Sequence, residues 1–502
     1  MEDWTRIRLT PEPTAPSTRL PQAMLLLVLL ALLTAYRLWV IPRLGVTLYI
    51  DEAQYWTWAQ DLDWGYFSKP PVIAWLIAAT TTVFGDGMLA VKLPALLLYP
   101  ATAWLMFLLG QKLFDARVGF RAGLAFALIP IVSALGLAVS TDAPLLFCWA
   151  AAMLCLLRAV EQDRLRDWLL LGAAVGFGIM AKYTMAAFGF SALLYLLGDA
   201  KRRRVFASPG LWVAVAMACL LVLPNIVWNW ANDFPTLRHT ADITHVDGSN
   251  EKTGNLIEFL LAQVASLGPG FALAFLAALP LALRKWREPR YQFLLVFSLP
   301  LLGVVFLQAL RSEANGNWAA PALLTALLLS VKWLARLRNR WWLTALSLNI
   351  VLMLGAYHLG DYFSLRGEAQ PARLDPLKRA KGWDKLAAEL RPILIANPGA
   401  LLLTEDRTLM AHMLYELRDL QPDHAAWAPH PHPQDHYQLT VPLRDEASSR
   451  PMLLITRNAH SSVASRFTQS EVVASPRLEI EPGLIREARI IRLQGFRGYG
   501  KE

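Results

Sequence analysis

Two adjacent carboxylates, Asp51 and Glu52, lie in a segment that follows the first apolar run long enough to cross a membrane. The segment 49–71 around them also holds Lys69 and seven aromatic side chains. Tyrosine and tryptophan favour the boundary between membrane and water, whereas carboxylates have no such preference. A carboxylate can act as a general base, and a lysine can stabilise an anionic leaving group. The segment therefore predicts a reaction centre at the membrane surface.

The composition is that of a protein with many membrane spans. Mean hydropathy is +0.36, and 55% of the residues are hydrophobic while only 17% are charged, which excludes an ordinary soluble protein. The net charge is +9, but lysine and arginine occur in short clusters between apolar runs. Membrane topology explains that pattern, so no nucleic-acid partner is expected. Cys148, Cys155 and Cys219 lie inside apolar runs and do not indicate a redox compartment.

Apolar runs of spanning length lie near 22–41, 88–110, 118–138, 143–160, 167–181, 184–198, 207–230, 256–283, 291–310, 318–335 and 341–360. Arg6, Arg8 and Arg19 precede the first run, which has no small-residue cleavage site and therefore indicates an uncleaved anchor. A shorter run, 71–84, follows Pro70 and would either cross the membrane or lie in its surface.

The charge distribution decides between these alternatives for 71–84. If this run lies flat, the basic clusters between the spans all face the cytoplasm, as the positive-inside rule requires. If it crosses, all of them face outward. The clusters lie at 112–121, 158–166, 201–204, 284–290 and 332–340. The sequence thus predicts a flat helix at 71–84, a cytoplasmic N-terminus and an outward-facing first loop, 42–87.

Two domains are expected. Residues 1–360 would form a polytopic α-helical membrane domain of about 11 transmembrane helices, with interfacial helices in the first outer loop. Residues 361–502 are far more polar and would form a small α/β domain on the outer side. Its strand-like runs are 400–404, 452–456 and 488–493, and its helical runs are 383–390 and 408–417.

The same topology gathers the remaining polar residues of the membrane domain on its outer face. Asp142 opens the fourth span, and Lys182 and Tyr183 lie at an outer turn. The loop 225–245 and the turn 311–318 contribute Arg238, His239, Arg311, Glu313, Asn315 and Asn317. Ionisable groups at membrane depth are costly unless paired or hydrated, so these residues are functional candidates.

Each candidate also has an alternative that involves no chemistry. Asp142 would cap a helix, and Lys69 would extend its apolar stem along the membrane surface. Arg238 and His239 would be ordinary loop residues. Residues better explained as solvated turn or proline-rich loop residues, rather than metal ligands or catalytic groups, are Asp61, Asp63, His430, His432 and His436. Because several independent candidates converge on one face, the functional interpretation is favoured for the set.

Several blocks of the sequence, taken in order, resemble one family of membrane enzymes. Asp51-Glu52-Ala-x-Tyr55-Trp56, Gly65-Tyr66 and Lys69-Pro-Pro resemble the first outer loop of the polyprenyl-phosphate-dependent GT-C glycosyltransferases of family 39. These include bacterial aminoarabinose-to-lipid-A transferases and protein O-mannosyltransferases. The later blocks are Ser140-Thr141-Asp142-Ala-Pro144, Ala181-Lys182-Tyr183-Thr184 and Asn317-Trp318-Ala-Ala-Pro321. The resemblance covers the membrane region, and the C-terminal part resembles bacterial members only loosely.

The resemblance implies an inverting transfer of a sugar from a polyprenyl-phosphate donor to a hydroxyl of lipid A or another envelope glycan. The reaction would occur at the periplasmic face of the bacterial inner membrane. Asp51, at a partly desolvated position, would be the general base, with Glu52 as a further catalytic candidate. Asp142 would bind sugar hydroxyls, orient the acceptor or complete an acidic site. Lys69, assisted by Arg238 or His239, would bind the lipid phosphate. The substrate cavity would be lined by Tyr55, Trp58, Tyr66, Lys182, Tyr183, Arg311, Glu313, Asn315 and Asn317.

The resemblance leaves metal dependence and the sugar open. In some relatives that modify lipid A, an acidic residue just before the loop lysine helps to hold a metal. This chain has Ser68 at that position. Asp51, Glu52 and Asp142 are the residues that would bind a divalent cation, Mg²⁺ or Mn²⁺. No feature of the sequence names the sugar.

Three alternative functions remain. A transporter of lipid-linked glycans would place its charges near the membrane midplane on broken, repeated helices, whereas these lie at outer helix ends and no repeat is visible. An O-antigen ligase or polymerase would carry its main outer loop late in the chain. Within the same family, a protein O-mannosyltransferase is the alternative to an enzyme that acts on lipid A or another glycan.

Overall fold

The computed structural model describes residues 19–244, 255–444 and 450–499. The chain divides into two compact units. The first contains the described part of Met1–Trp39 together with Lys69–Leu76 and Lys92–Gly355. The second contains Val40–Ser68, Ile77–Val91 and the described part of Ala356–Glu502. This grouping differs from a division at residue 360, because parts of the first outer loop belong with the C-terminal region. Arg6, Arg8 and His245 lie outside the described residues.

The described part of the chain up to residue 365 is helical. Its helices are α1 (Arg19–Val40), α2 (Ile50–Gln60), α3 (Val72–Phe84), α4 (Met88–Leu113), α5 (Ala116–Leu128), α6 (Pro130–Leu135), α7 (Asp142–Gln162), α8 (Leu165–Ala181), α9 (Ala186–Leu197), α10 (Pro209–Ala231), α11 (Pro235–Thr244), α12 (Leu256–Leu267), α13 (Pro269–Arg284), α14 (Pro289–Val296), α15 (Leu299–Arg311), α16 (Ala320–Leu334), α17 (Asn339–Tyr357) and α18 (Leu359–Leu365). Short 3₁₀ turns, among them Tyr183–Met185 and Gly316–Ala319, connect some of them.

Six helical segments within the described residues are long and apolar enough to cross a membrane. They are Pro21–Arg43, Met88–Leu113, Asp142–Gln162, Pro209–Ala231, Pro289–Arg311 and Gly316–Leu334. Two bent pairs, α12 with α13 and α17 with α18, raise the number to eight if each pair is one span. The run at 71–84 forms the short helix α3, as expected. The chain is thus a membrane protein with several apolar spans.

Two runs that the sequence analysis treats as single helices are broken in the structure. The run 118–138 is interrupted before Pro130, because proline disfavours helical geometry in the preceding residue, and Ile129 is extended with ψ 146°. The run 256–283 bends by 104° between α12 and α13. Gly268 forms this bend at φ +82° and ψ 144°, a conformation that is essentially restricted to glycine.

Close helix packing in the first unit depends on small residues. Helix α8 packs against α7 and α10. A Cβ atom at Gly172 would lie 2.3 Å from the carbonyl oxygen of Ala214, and one at Gly176 would lie 2.9 Å from Leu221 Cβ. Two glycines four residues apart on α8 therefore let the backbones of α8 and α10 approach closely, as is common between membrane helices.

The C-terminal part of the second unit is a small α/β fold, as expected. Its helices are α19 (Trp383–Ala396), α20 (Arg407–Glu416) and α21 (His436–Thr440), and its strands are β1 (Leu401–Thr404), β2 (His424–Ala426), β3 (Met452–Thr456), β4 (Phe467–Ala474), β5 (Arg477–Glu481), β6 (Leu484–Glu487) and β7 (Arg489–Phe496). Five strands form one sheet in the order β2-β1-β3-β7-β4, with β1 parallel to β2 and β3, and β7 antiparallel to β3 and β4. Strands β5 and β6 form a separate antiparallel pair.

Both faces of the five-stranded sheet are covered, which explains why β1 and β3 are continuous apolar runs rather than alternating ones. One face packs against α19 and α20 through residues such as Trp383 and Met413. The other face packs around Trp427 and Phe496. Sequence patterns predicted α19, α20 and three of the strands, β1, β3 and β7. They did not predict α21 or the strands β2, β4, β5 and β6. Strand β2 has only three residues, and most residues of β4, β5 and β6 are polar or exposed.

The bend at Gly268 gives a test of the fold. In Gly268→Ala, the new Cβ atom would lie 1.8 Å from Oδ1 of the buried Asn349, whose Nδ2 donates to the carbonyl of Leu267 at 3.1 Å. We expect the substitution to destabilise the protein by about 2 kcal/mol or more, measured as a lower thermal unfolding midpoint in detergent. Gly303→Ala is the matched control, because Gly303 lies inside α15 with no heavy atom within 4 Å of a Cβ. Equal midpoints for the two variants would contradict the proposed constraint.

Candidate active site

The first unit brings together three of the polar blocks found in the sequence. Asp142 is the first residue of α7 and is 2% exposed. Its Oδ1 accepts a hydrogen bond from Nζ of Lys182 at 2.7 Å, and its Oδ2 accepts one from Nδ2 of Asn317 at 2.7 Å. Lys182 lies between α8 and the 3₁₀ turn Tyr183–Met185, and Asn317 lies in the turn Gly316–Ala319. A buried carboxylate thus joins segments that are far apart in sequence.

Asp142 does more than cap its helix. Thr141 is the N-cap residue of α7 and makes no side-chain capping bond. Both carboxylate oxygens of Asp142 are engaged by Lys182 and Asn317, while its own N–H donates to Oγ of Ser140 at 3.3 Å. Burial of a carboxylate is tolerated when it is paired and hydrogen-bonded in this way. The capping alternative therefore does not account for the side chain.

A second polar group surrounds Tyr183, which follows Lys182. The Tyr183 hydroxyl donates to Oδ1 of Asn225 at 2.7 Å and accepts from Nδ2 of Asn229 at 3.1 Å. Both asparagines lie on α10 and are buried. The turn that carries Lys182 is therefore fixed to the end of α10 by hydrogen bonds.

The turn that carries Asn317 is held from α12. The side chain of Asn255 makes two bonds with the backbone of Ala314, donating to its oxygen at 3.2 Å and accepting from its nitrogen at 3.0 Å. Nε2 of Gln263 donates to the carbonyl of Gly316 at 2.9 Å. Asn255 and Gln263 were not predicted, because a single amide at the start of an apolar run or inside it carries no recognisable signal.

The other predicted residues of the first unit lie in varied surroundings. Lys69 is half-buried just before α3, and Arg238 and His239 lie on α11, the first exposed and the second half-buried. Arg311, Glu313 and Asn315 are exposed at or after the end of α15. Among the described residues, the predicted site residues whose side chains bond the carboxylate of Asp142 are Lys182 and Asn317.

In the second unit, the two adjacent acids occupy opposite environments at the start of α2. Glu52 is 1% exposed, and its Oε2 accepts a hydrogen bond from the N–H of Tyr49 at 2.9 Å. This bond satisfies one of the unpaired donors at the helix start. Asp51 has a side chain that is 58% exposed, and its Oδ1 lies 3.4 Å from Nη2 of Arg407. The position is therefore more hydrated than the partly desolvated one expected from the sequence.

The aromatic residues of the loop pack on one another. The rings of Trp58 and Tyr66 stack at 4.5 Å between centroids with an interplanar angle of 2°, and Tyr55 lies 5.1 Å from Trp58. The Tyr66 hydroxyl donates to the carbonyl of Trp58 at 3.0 Å. All three side chains are buried, so in this structure they form the core of the loop rather than an open surface that would cover a sugar.

One histidine of the proline-rich tract belongs to this aromatic core. His436 lies edge-on to Trp58 and Tyr66, at 5.3 and 5.5 Å between ring centroids. Burial lowers the pKa of His436 to about 3, so the ring is neutral at physiological pH. His430 and His432 are exposed. Across 19–244, 255–444 and 450–499, no group of three or more His, Cys, Asp or Glu side chains is arranged to bind a metal ion.

Comparisons with known proteins bear on the family of the chain. A family model described as dolichyl-phosphate-mannose-protein mannosyltransferase matches residues 68–228. The lipid A galacturonosyltransferase of Rhizobium johnstonii is 30% identical over 446 residues, which make up 86% of this chain and 91% of that protein. An undecaprenyl phosphate-α-4-amino-4-deoxy-L-arabinose arabinosyl transferase of Pseudomonas fluorescens is 26% identical over 303 residues, or 55% of this chain and 50% of that protein.

A solved structure shares the fold. The crystal structure of ArnT from Cupriavidus metallidurans bound to undecaprenyl phosphate superposes with a TM-score of 0.65 at 15% sequence identity. The superposition covers 92% of this chain and 97% of that one. At this level of identity the likeness concerns the fold alone.

The ion pair of Asp142 gives a test that does not depend on activity. Asp142→Asn leaves the Lys182 ammonium, whose side chain is 14% exposed, without its carboxylate. We expect the free energy of unfolding to fall by about 2–4 kcal/mol, because an uncompensated charge is left largely buried. The double substitution of Asp142→Asn with Lys182→Met should recover most of this loss. Thermal unfolding in detergent measures both effects.

A matched control for this test is Glu288→Gln. Glu288 pairs with Lys285 and Arg290, but its side chain is 35% exposed. A pair at the surface contributes about 0–1 kcal/mol. If Asp142→Asn is no more destabilising than this control, the buried pair does not stabilise the arrangement described above.

Proposed function

The chain belongs to the polyprenyl-phosphate-dependent GT-C glycosyltransferases, and we propose that it transfers a sugar from a polyprenyl-phosphate donor to a hydroxyl of lipid A or another lipopolysaccharide glycan. The observation that carries this proposal is the alignment with the lipid A galacturonosyltransferase, which extends over 91% of that protein. The ArnT structure that shares the fold contains undecaprenyl phosphate, which supports a donor of this class. Both the polyprenyl-phosphate donor and the lipid A or lipopolysaccharide acceptor would lie among membrane lipids.

A galacturonic acid is the favoured sugar. The relative that aligns along most of its length is a galacturonosyltransferase, whereas the aminoarabinosyl transferase aligns over 50% of its length and at lower identity. The proposal therefore ranks a galacturonosyl donor above an aminoarabinosyl one.

Asp51 is proposed as the general base. In an inverting transfer, the base takes the proton of the acceptor hydroxyl while the acceptor oxygen attacks the anomeric carbon. The bond from that carbon to the phosphate oxygen breaks, and polyprenyl phosphate leaves as an anion. The exposed carboxylate of Asp51 is accessible to an acceptor, whereas Glu52 is buried and engaged with the N–H of Tyr49. We therefore assign Glu52 to the stability of α2 rather than to proton transfer.

Lys182 is proposed to act on the donor with Lys69, Arg238 and His239. One of the three ammonium hydrogens of Lys182 is used by Asp142. The others are available to a phosphate or a sugar oxygen, and Asp142 and Asn317 would fix the direction in which the ammonium points. A leaving phosphate needs charge stabilisation more than a proton, which suits a lysine. The exposed side chains of Arg311, Glu313 and Asn315 would contact the substrate from the same unit.

We propose that charge balance at Asp142 comes from Lys182 rather than from a divalent cation. Both oxygens of Asp142 are already hydrogen-bonded, and Glu52 is engaged by a backbone N–H. The chemistry of these side chains does not suit a Mg²⁺ or Mn²⁺ site that would need several unengaged carboxylate oxygens.

We also propose eleven spans with a cytoplasmic N-terminus in the bacterial inner membrane. The six long segments and the two bent pairs supply eight, and the pair α5 and α6, helix α8 and the segment Tyr183–Leu197 supply three more. Helix α3 would lie in the membrane surface. Residues 1–360 are then the membrane part, with 42–87 as its first outer loop, and residues 361–502 are periplasmic. The support is the charge distribution between the spans.

Transfer from a lipid-linked donor tests the function directly. The purified protein should consume polyprenyl-phosphate galacturonic acid when lipid A is supplied, with release of polyprenyl phosphate measured by mass spectrometry. Asp51→Asn should lower kcat by about 100-fold or more, since a general base contributes that much. Asp61→Asn, which removes an exposed acid from the same loop, is the control and should keep activity. Consumption of no donor, or full activity of Asp51→Asn, would contradict the proposal. If the site needs no metal ion, addition of EDTA should leave the activity unchanged.

The acceptor is tested in cells. A deletion strain should lack a sugar substituent on lipid A or the lipopolysaccharide core, because the proposed acceptor is a glycan of the envelope. Mass spectrometry of lipid A and of envelope glycoproteins from the deletion and parent strains provides the measurement. The family model that matches residues 68–228 is described as a protein mannosyltransferase, so an altered glycoprotein with unchanged lipid A would favour protein O-mannosylation instead.

A further inference from the structure

Helix α2, which begins beside Asp51, packs against α20 of the C-terminal α/β fold within the second unit. Nε1 of Trp56 donates to Oδ1 of Asp86 at 2.7 Å, and the Tyr415 hydroxyl donates to the carbonyl of Asp86 at 3.2 Å. The rings of Trp56 and Tyr415 meet edge to face at 5.3 Å. One turn of α2 is therefore held by an aromatic residue of α20.

A second set of contacts lies along the same helix. The hydroxyls of Thr57 and Tyr437 are 3.0 Å apart and hydrogen-bonded, and Trp58 packs against His436. Residues 56–58 thus contact three side chains from the C-terminal fold: Tyr415, His436 and Tyr437. These contacts hold the middle of α2 in place and do not involve its first turn.

The first turn of α2 is contacted by Arg407. Nη1 of Arg407 donates to Oε1 of Gln54 at 2.8 Å, and Nη2 lies 3.4 Å from Oδ1 of Asp51. Asp51 and Gln54 are three residues apart and therefore lie on the same side of the helix. Gln54 is 1% exposed, so one end of the guanidinium is anchored in the interior while the other faces the exposed carboxylate.

Arg407 is itself fixed in place. It is the first residue of α20, whose N-cap Asp406 accepts a hydrogen bond from the N–H of Thr408 at 2.7 Å. The other carboxylate oxygen of Asp406 accepts from Nε of Arg457 at 2.7 Å. The capped start of α20 thus fixes the backbone at Arg407, and Gln54 holds the guanidinium group at the end of its side chain.

We infer that Arg407 is a positioning residue for the transfer reaction, which orients the carboxylate of Asp51 from the C-terminal α/β fold. The inference rests on the proposed function, in which Asp51 is the base. An exposed carboxylate samples several rotamers, and a base must lie within hydrogen-bond reach of the acceptor hydroxyl. A planar guanidinium can bond Gln54 and Asp51 at the same time, whereas the single ammonium of a lysine cannot reproduce that fork. The C-terminal fold is then part of the catalytic machinery rather than an appended module.

Kinetics of Arg407 variants test the inference. Arg407→Ala should lower kcat by about 10–100-fold, as expected when a reacting group is misplaced, while the KM for the lipid donor changes by less than about twofold. Arg407→Lys should be intermediate. Guanidinium ion added to the medium should restore part of the activity of Arg407→Ala but not of Asp51→Asn. Arg450→Ala is the matched control, because Arg450 pairs with Asp423 in the same fold at 2.7 Å and should leave kcat unchanged.

Two further measurements distinguish an effect of Arg407 on the position of Asp51 from an effect on folding. They also distinguish failure of this inference from failure of the proposed function. The thermal unfolding midpoint of Arg407→Ala should match that of Arg450→Ala, since the contacts of residues 56–58 remain. Amide hydrogen exchange in the first turn of α2 should be faster in Arg407→Ala than in Arg450→Ala. A kcat equal to that of the wild type, or a loss of kcat that guanidinium does not rescue and that accompanies a lower midpoint, would overturn the inference. If the wild-type protein consumes no lipid-linked donor, the proposed function fails, whatever the exchange experiment shows.

Discussion

The arrangement of the first unit depends on the burial of one carboxylate. A charge such as that of Asp142 is costly in an apolar bundle unless partners compensate for the lost water. Lys182 and Asn317 supply those partners, at 2.7 Å each. The pairing requires that the start of α7, the junction after α8 and the turn before α16 meet at one point. The hydrogen bonds of Tyr183 and Gln263 hold two of these segments in place.

In the loop 42–87, two adjacent carboxylates of the same charge lie in different surroundings. Asp51 and Glu52 are neighbours, but successive helical residues point in different directions. Glu52 turns inward and bonds the N–H of Tyr49, whereas Asp51 stays exposed opposite Arg407. The buried rings of Trp58 and Tyr66 stack on each other, and both pack against His436. The loop is consequently folded around a core that it shares with His436.

The sequence predicted much of this protein from local physical signals. Long apolar runs and basic clusters predicted a membrane protein with polar residues gathered on one face, because membrane insertion and charge impose constraints that residue types alone reveal. The ordered blocks around Asp51, Asp142, Lys182 and Asn317 added a resemblance to membrane glycosyltransferases. The small α/β fold and three of its strands were also predictable, since their apolar runs are short and continuous. The bends of the helices could not be predicted from the sequence. The effect of Gly268 depends on Asn349, which lies 81 positions later.

Tertiary structure alone decided which of the candidate residues meet. Residue types made Asp142 either a cap or a functional acid, and only the tertiary structure showed that its carboxylate is paired with Lys182 and Asn317. Likewise, the seven aromatic residues and the acids at 49–71 indicated chemistry at a membrane surface, but not that Trp58 would be buried or that Arg407 would face Asp51. The physical reason is that an ion pair or a ring stack depends on distances in space, which residue spacing fixes only within a single helix or strand.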